Sequence, residues 1–293
     1  MMAPTNKTVI LKSELPWSTR EMWLRLIIYY ILISTLLFIL QFGIGSFLIY
    51  YPEIENISET ILFSLTGILG IGLTWIFLKF DDRQIKQIGV FIPDRIILLF
   101  LLALIFTPIA LIFGFIIENA FEIINFTEMI EGLISDPLIL VLTALVTFLG
   151  IAVGEEIMFR GYILRLLESN LTFWKAALIS SILFGLLHSF LLVSSENALN
   201  SMIAVGVSAT IFGLMFSYAY YKTGRSLGLP ILIHGIWNLG IFIFNTEFHY
   251  EKLVQVFFEI FSQTLAALIL IIVIYYYAER FPAKRKLQVW KNT

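Results

Sequence analysis

Long apolar runs, separated by short polar segments, account for most of the chain. Eight of these runs are close to or above the roughly 20 residues that a membrane-spanning helix needs. We predict them at residues 24–50, 60–80, 96–117, 138–167, 173–193, 199–221, 229–244 and 253–278. The fourth run is too long for one plain span, and the seventh is short and is expected to be broken at His234 and Asn238. The pattern predicts an all-α membrane protein, a bundle of about eight transmembrane helices.

The composition agrees with a membrane protein and narrows its chemistry. Hydrophobic residues make up 59% of the 293 residues and charged residues 14%, whereas soluble domains average about 45–50% and 25%. Membrane lipids are therefore the expected partners, and nucleic acid is not expected. The chain has no cysteine, which excludes disulfides and thiolate catalysis. One membrane domain, residues 24–278, is predicted between an N-terminal segment (1–23) and a basic tail (279–293).

Basic residues are distributed unevenly between the two sides of the predicted bundle. With the N-terminus placed in the cytoplasm, every lysine and arginine except Lys252 falls on the cytoplasmic side, which is the side that basic loops favour. The opposite connections are acidic and contain Glu53, Glu55, Glu59, Glu118, Glu122, Glu128, Glu131 and Asp136. This alternation requires an even number of spans. We therefore predict a multi-pass protein of the cell membrane with both termini cytoplasmic.

Two adjacent acids, Glu155 and Glu156, interrupt the fourth apolar run. A charge at the centre of a membrane helix costs at least about 2.5–3.5 kcal/mol, and such groups normally face a protein interior or a wet cavity and mark a functional site. Because residues four apart share a helix face, Glu156 is expected to pair with Arg160. Glu155 points about 100° away, so this acid is left free for chemistry.

Two further apolar runs contain histidines at a depth in the membrane comparable to that of Glu155. His188 lies in the fifth run, and His234 and Asn238 share one helix face in the seventh. At about 1.5 Å per residue, these groups can meet Glu155 in one cavity in the cytoplasmic half of the bundle. A desolvated carboxylate can take a proton from water near neutral pH, and His and Asn donors suit an oxyanion. The set predicts hydrolysis; a zinc ion bound by Glu155, His188 and His234 is the alternative.

Three motifs on separate helices resemble those of the CPBP family of intramembrane proteases, which includes type II CAAX prenyl endopeptidases and Abi-type bacteriocin-processing or immunity proteins. The motifs are Glu155-Glu156-x-x-x-Arg160, Phe184-x-x-x-His188 and His234-x-x-x-Asn238. The resemblance covers residues 138–244, the expected catalytic core. It implies a bundle with a conical cavity open to the cytoplasm and partly to lipid. In this family pattern, Glu156 and Arg160 would support the site.

The resemblance also implies an activity and a set of roles. Glu155 would activate water with His188, while His234 and Asn238 would stabilise the tetrahedral oxyanion. The enzyme would be an intramembrane endopeptidase acting on a membrane-associated peptide or protein, which is prenylated in the eukaryotic branch. Members have been described both as metalloproteases and as glutamate-dependent proteases. The absence of cysteine ligands and the Asn at position 238 favour a metal-free mechanism here.

Two other classes of function stay open from the sequence. A non-catalytic Abi-type immunity or scaffold protein would bind a peptide in the same cavity, and a transporter would use the buried acids as ion sites. Transporters often contain inverted repeats, and the sequence shows none. Outside the motifs, Glu259 is expected near the outer end of the last run, where it reaches lipid headgroups. His249 is expected to be solvated in an outer loop.

Overall fold

The computed structural model describes residues 18–48, 55–131, 136–193, 195, 197–244, 248–284 and 286–290, and most of the predicted N-terminal segment lies outside these ranges. The described residues form helices, turns and loops without a β-strand. The helices are α1 (Thr19–Leu48), α2 (Glu55–Phe80), α3 (Ile96–Ala120), a short α4 (Phe126–Glu131), α5 (Pro137–Glu168), α6 (Phe173–Phe190), α7 (Ala198–Lys222), α8 (Gly228–Ile243) and α9 (Leu253–Arg280).

The helices have the lengths that a polytopic membrane protein needs. Within the described residues, six are long and apolar enough to cross a membrane, namely α1, α3, α5, α6, α7 and α9, and two shorter apolar helices lie in α2 and α8. This confirms the all-α, multi-pass fold; the cytoplasmic placement of the termini stays a prediction. The expected break in the seventh run was wrong, because α8 continues through His234 and Asn238. Their polar side chains leave the helical backbone hydrogen bonds intact, unlike the ring of a proline.

Two hydrophobic clusters divide the bundle. One is built mainly from α1, α2, α5 and α6, and the other mainly from α3, α7, α8 and α9. Helix α7 joins the two clusters because it packs against α6 on one side and α8 and α9 on another. Many apolar side chains on the outside of the bundle are exposed, such as Ile97 at 75%, as expected for a surface that faces lipid. The two clusters meet along the inner face of α5.

Helix α5 departs from regular α-helical geometry on both sides of its two acids. Residues Val146–Ala152 and Ile157–Ile163 are π-helical, and the short α-helical segment Val153–Glu156 lies between them. Each wide turn changes the direction in which the following side chains point. Such π segments are frequent at functional sites, and here they flank Glu155 and Glu156 directly.

Glycines allow α2 to approach the part of α5 that carries the acids. A Cβ atom on Gly154 would lie 2.4 Å from the Cα of Gly67, and a Cβ on Gly67 would lie 1.5 Å from the carbonyl oxygen of Gly150. Both distances are shorter than a real Cβ contact, and the atoms in the way belong to the backbone. Small residues allow this kind of close crossing between membrane helices. The position of Glu155 in the bundle therefore depends on a glycine at each of these positions.

Replacing Gly67 with alanine is expected to destabilise the protein, since the added methyl group forces α2 and α5 apart. Overpacking of this kind costs about 1–3 kcal/mol. Gly72→Ala on the same helix is the matched control, because a Cβ at that position has no atom within 4 Å. Thermal unfolding of the two variants in one detergent measures the difference. Equal transition temperatures for the two variants would contradict the close crossing.

The C-terminal residues fold back onto the end of the bundle where α5 ends and α8 begins. The backbone N–H of Leu287 donates to the carbonyl of Gly224 (3.1 Å), and Arg225 donates to the carbonyl of Leu287 (3.2 Å). Arg165 donates to the carbonyl of Gln288. Trp290 is buried at the end of this segment. We call residues 286–290 the C-terminal strap, and its position fixes the ends of helices that carry the site.

The predictions for the acidic side of the bundle were partly wrong. Glu118 was assigned to an outer connection and Glu259 to a position that reaches lipid headgroups. Instead, both lie within helices, α3 and α9, and both are buried, at 0% and 4% exposure. His249 is exposed, as predicted. Glu118 accepts hydrogen bonds inside the bundle, and both acids are considered again below.

Candidate active site

Four helices bring the predicted polar residues together where the two hydrophobic clusters meet. Helix α5 provides the two acids and Arg160, α6 provides His188, and α8 provides His234 and Asn238. The fourth helix, α7, provides aromatic side chains that pack against these groups. The sequence placed the first three helices at the site. In α7 it offered only the hydroxyls of Ser208 and Thr210, as weak candidates, and it did not show that aromatic residues of this helix pack there.

Glu156 is the central acceptor of a buried polar network. Its Oε1 accepts from Nη1 of Arg160 at 2.9 Å, and it lies 2.9 Å from Nδ1 of His234. Glu156 and Arg160 are completely buried, and His234 is 4% exposed. The pairing of Glu156 with Arg160 confirms the expectation from their spacing of four residues. The contact of Glu156 with His234 was not predicted, since the sequence does not show which helices touch.

Aromatic rings hold the charged members of this network. The guanidinium of Arg160 lies 4.6 Å from the ring centre of Phe184 and 5.1 Å from that of Phe216. These are cation–π distances, and such contacts strengthen when water is excluded. Phe216 also stacks on the imidazole of His234, with ring centres 4.8 Å apart and planes 17° apart. The carboxylate of Glu156 and the ring of Phe216 together fix the orientation of His234.

His188 is oriented by the backbone of its own helix. Its Nδ1 lies 2.9 Å from the carbonyl oxygen of Phe184, one turn earlier. A carbonyl can only accept, so Nδ1 carries the proton of the neutral imidazole and Nε2 is left as an acceptor. Nε2 points towards Glu155. Phe184, which appeared in the sequence only as a motif residue, therefore orients one histidine and contacts Arg160.

Glu155 lies between the two imidazoles. Its Oε2 is 3.8 Å from Nε2 of His188 and 3.6 Å from Nε2 of His234. This oxygen is buried and receives no hydrogen bond from any of the described residues. The distances are too long for direct hydrogen bonds and are suited to a small group shared between the polar atoms. The side chain is 17% exposed, so it is neither in the lipid nor fully enclosed.

A cavity of about 180 Å³ opens beside the histidines. His188, His234 and Asn238 line it, together with aromatic side chains from α6, α7 and α8. The histidines and Asn238 therefore meet at the cavity, as predicted. Glu155 is not among the residues that line this cavity, and it lies behind the two imidazoles, 3.8 and 3.6 Å from their Nε2 atoms. The walls are mostly apolar, which suits an apolar ligand with a few polar groups.

The zinc alternative has a defined donor set, formed by Glu155, His188 and His234. In the ranges that the structure describes, no group of three or more His, Cys, Asp or Glu side chains is arranged to hold a metal ion. Whether the reaction uses a metal ion stays a prediction of the sequence, and it is addressed by experiment below.

This geometry can be compared with known proteins. Residues 137–240, from the start of α5 to the last turn of α8, match the family model of Rce1-like type II CAAX prenyl endopeptidases. The match covers about a third of the chain, and we call this matched region the Rce1-like domain. The match confirms the family resemblance of the three motifs, all of which lie within it. A comparison with curated proteins finds no match.

The Rce1-like domain indicates a general class of protein. The matched family is that of type II CAAX prenyl endopeptidases, and in this chain the matched region lies within a bundle of helices long and apolar enough to cross a membrane. The domain includes every polar residue of the site described above, from Glu155 in α5 to Asn238 in α8. The helices outside it, α1 to α3 and α9, pack around the domain. The catalytic type and the substrate need a separate argument.

Sequence reasoning missed the polar residues of α9. Gln255, Glu259, Ser262 and Gln263 recur with the spacing of one helix face. All four are buried. This periodicity is a signal that the polar face points into the protein. The distance of Glu259 from the end of its helix does not tell whether its side chain points to lipid or into the protein.

Proposed function

We propose that this protein hydrolyses a peptide bond in a membrane-associated, lipidated peptide or protein, with Glu155 as the general base. The observation that carries the proposal is the buried Oε2 of Glu155, which has no hydrogen-bond partner among the described residues and lies between two imidazole Nε2 atoms. A buried acceptor without a donor is costly. The cost is removed when a water molecule donates to it.

Charge balance supports a distinct role for each histidine. Glu155 and Glu156 carry two negative charges, and Arg160 carries one positive charge. A buried site favours neutrality, and a proton on Nε2 of His234 supplies the second positive charge. Nδ1 of His234 then donates to Glu156, and Nε2 becomes a donor directed to the reaction site. His188 stays neutral, with its Nε2 as an acceptor.

The proposed reaction follows from these donors and acceptors. A water molecule donates one proton towards Oε2 of Glu155 and the other towards Nε2 of His188. Glu155 takes the first proton as the oxygen attacks the peptide carbonyl carbon. The oxyanion that forms accepts hydrogen bonds from Nε2–H of His234 and from the side-chain amide of Asn238. When the C–N bond breaks, Glu155 returns its proton to the leaving amine.

We propose that this reaction needs no metal ion. Asn238 supplies an uncharged donor for the oxyanion, a role that a metal ion has in zinc peptidases. If zinc were bound instead, Glu155, His188 and His234 would hold it, and it would polarise the peptide carbonyl.

The activity can be tested with purified protein in liposomes and a fluorescence-quenched peptide that ends in a prenylated cysteine sequence. We expect hydrolysis of this peptide, with kcat/KM at least about tenfold above that of the same peptide without the prenyl group, since the prenyl chain buries apolar area. Treatment with 1,10-phenanthroline is expected to leave the rate unchanged.

Two results would contradict parts of the proposal. Binding of the prenylated peptide without hydrolysis would reject the protease function and favour the immunity or scaffold alternative. Inhibition by 1,10-phenanthroline that zinc reverses would reject the metal-free mechanism and leave the protease function in place. The non-chelating isomer 1,7-phenanthroline is the control for unspecific effects of the aromatic compound.

A further inference from the structure

A second buried polar cluster lies between α3 and α9. Oε1 of Glu118 accepts from the hydroxyl of Ser262 at 2.6 Å and from the side-chain amide of Gln263 at 2.9 Å. The carboxyl group of Glu259 lies next to that of Glu118 and interacts with it. None of the four side chains is more than 7% exposed. We call these four residues the α3–α9 cluster.

The α3–α9 cluster borders the cavity of the candidate active site. Glu259 and Gln263 line the same 180 Å³ cavity as His188, His234 and Asn238. The cavity is therefore polar where α6 and α8 supply the histidines and polar again where α9 supplies the cluster, with aromatic walls between. The proposed reaction uses only the first of these polar regions.

No cation is among the described groups that interact with the carboxyl pair. Two buried carboxyl groups side by side hold at least one proton between them, because two like charges repel each other. A bound cation would balance the single negative charge that the pair takes on when the other proton leaves. The hydrogen-bond partners given above, Ser262 and Gln263, are neutral. The Oε2 atoms of Glu118 and Glu259 accept no hydrogen bond from a donor group among the described residues.

A second observation points into the same cavity. The hydroxyl of Ser208 on α7 lines the cavity, is buried and has no hydrogen-bond partner in the described part of the chain. Ser208 is 6% exposed. The buried hydroxyl of Ser208 and the buried carboxyl group of Glu259 lie at the wall of one cavity, and each gains free energy from a polar ligand. A cationic group with several N–H donors satisfies both.

We propose that the α3–α9 cluster is a subsite for a positively charged group of the substrate, such as a lysine or arginine side chain or an amine. The proposal rests on the proposed protease function, because it places the cation in the cavity while the scissile bond lies at Glu155. Glu259 receives the cation, and Glu118, held by Ser262 and Gln263, keeps the carboxyl pair in place. The subsite makes the enzyme prefer substrates with a basic residue at a fixed distance from the cleaved bond.

The test compares prenylated peptides that carry lysine or the uncharged isostere norleucine at each position in turn. At one position, we expect lysine to raise kcat/KM at least about tenfold over norleucine, the effect of one hydrogen-bonded charge pair. Glu259→Gln is expected to remove this preference, so that the lysine and norleucine peptides are cleaved with equal kcat/KM. Glu122→Gln is the matched control, since Glu122 is a solvent-exposed acid near the same helix ends and its replacement should keep the preference.

Binding measurements separate the failure of this proposal from failure of the protease function. The labelled lysine and norleucine peptides are titrated against the Glu155→Ala variant, so that no hydrolysis is needed. Tighter binding of the lysine peptide, lost with Glu259→Gln, supports the subsite even when no peptide is cleaved. Equal affinity for the two peptides at every position overturns it. An equal loss for both peptides in Glu259→Gln also overturns it, because the acid then serves only to pack α9 against α3.

Discussion

Replacing Glu155 with glutamine is expected to lower the rate of peptide hydrolysis by at least about 10²–10⁴-fold, the usual contribution of a general base. Glutamine keeps the size and polarity of the side chain but cannot take a proton from water. Oε2 of Glu155 accepts no hydrogen bond from the described residues, so the replacement should cost little stability. The initial rate with the prenylated peptide in liposomes measures the effect.

The matched control for this variant is Glu128→Gln, which changes an exposed acid away from the site and should leave the rate unchanged. Thermal unfolding confirms that both variants are folded. If Glu155 and His188 act on one water molecule, the double variant Glu155→Gln/His188→Ala should be no slower than the slower single variant. Turnover of Glu155→Gln within a few-fold of the wild type would remove the base from the mechanism.

Replacing Arg160 with methionine is expected to destabilise the protein by about 3–5 kcal/mol, because it leaves the carboxylate of Glu156 buried without its cation. Arg160 is completely buried, and it also packs its guanidinium against Phe184 and Phe216. Methionine fills much of the same space, so the loss reports the charge rather than a cavity. Chemical denaturation in mixed micelles measures the free energy of unfolding.

The double variant Glu156→Gln/Arg160→Met separates stability from activity. Removing both charges should restore most of the lost stability, since the buried charge without a partner is gone. Activity should not return, because His234 loses the carboxylate that orients its ring and balances its charge. A double variant that is as unstable as Arg160→Met would show that packing, not charge, sets the cost. A fully active double variant would show that Glu156 has no role in positioning His234.

Much of the fold follows from the apolar runs, because only a helix can satisfy its backbone within lipid. All eight predicted spans correspond to helices, and the start of α6 at Phe173 and that of α9 at Leu253 agree with prediction. The π-helical segments of α5 could not be predicted, since they depend on contacts of α5 with α2 and α8 and not on a local motif. The break in α8 was expected because His234 and Asn238 are polar. A polar side chain does not interrupt a helix, and His234 contacts Glu156 on another helix.

The candidate site was predictable where its contacts are local. The pairing of Glu156 with Arg160 is set by their spacing on one helix. The contact between Glu156 and His234 joins residues 78 positions apart, and no sequence pattern specifies it. The same limit applies to Phe216, which reaches the site only because α7 packs between α6 and α8. Glu118 and Glu259 were misplaced because the distance of each residue from a helix end was considered without the face on which it lies.

The C-terminal strap is held mainly through its own main chain. Arg165 and Arg225 donate to carbonyl oxygens of residues 288 and 287, and Leu287 donates its backbone N–H to Gly224. Any amino acid except proline at position 287 offers the same backbone N–H and carbonyl groups, so these hydrogen bonds do not determine which residue stands there. An insertion of one residue before position 287 shifts the carbonyl groups of residues 287 and 288 along the chain by about 3.3–3.6 Å. The same shift moves Trp290 out of its buried position. Spacing in this segment is therefore under tighter constraint than residue identity.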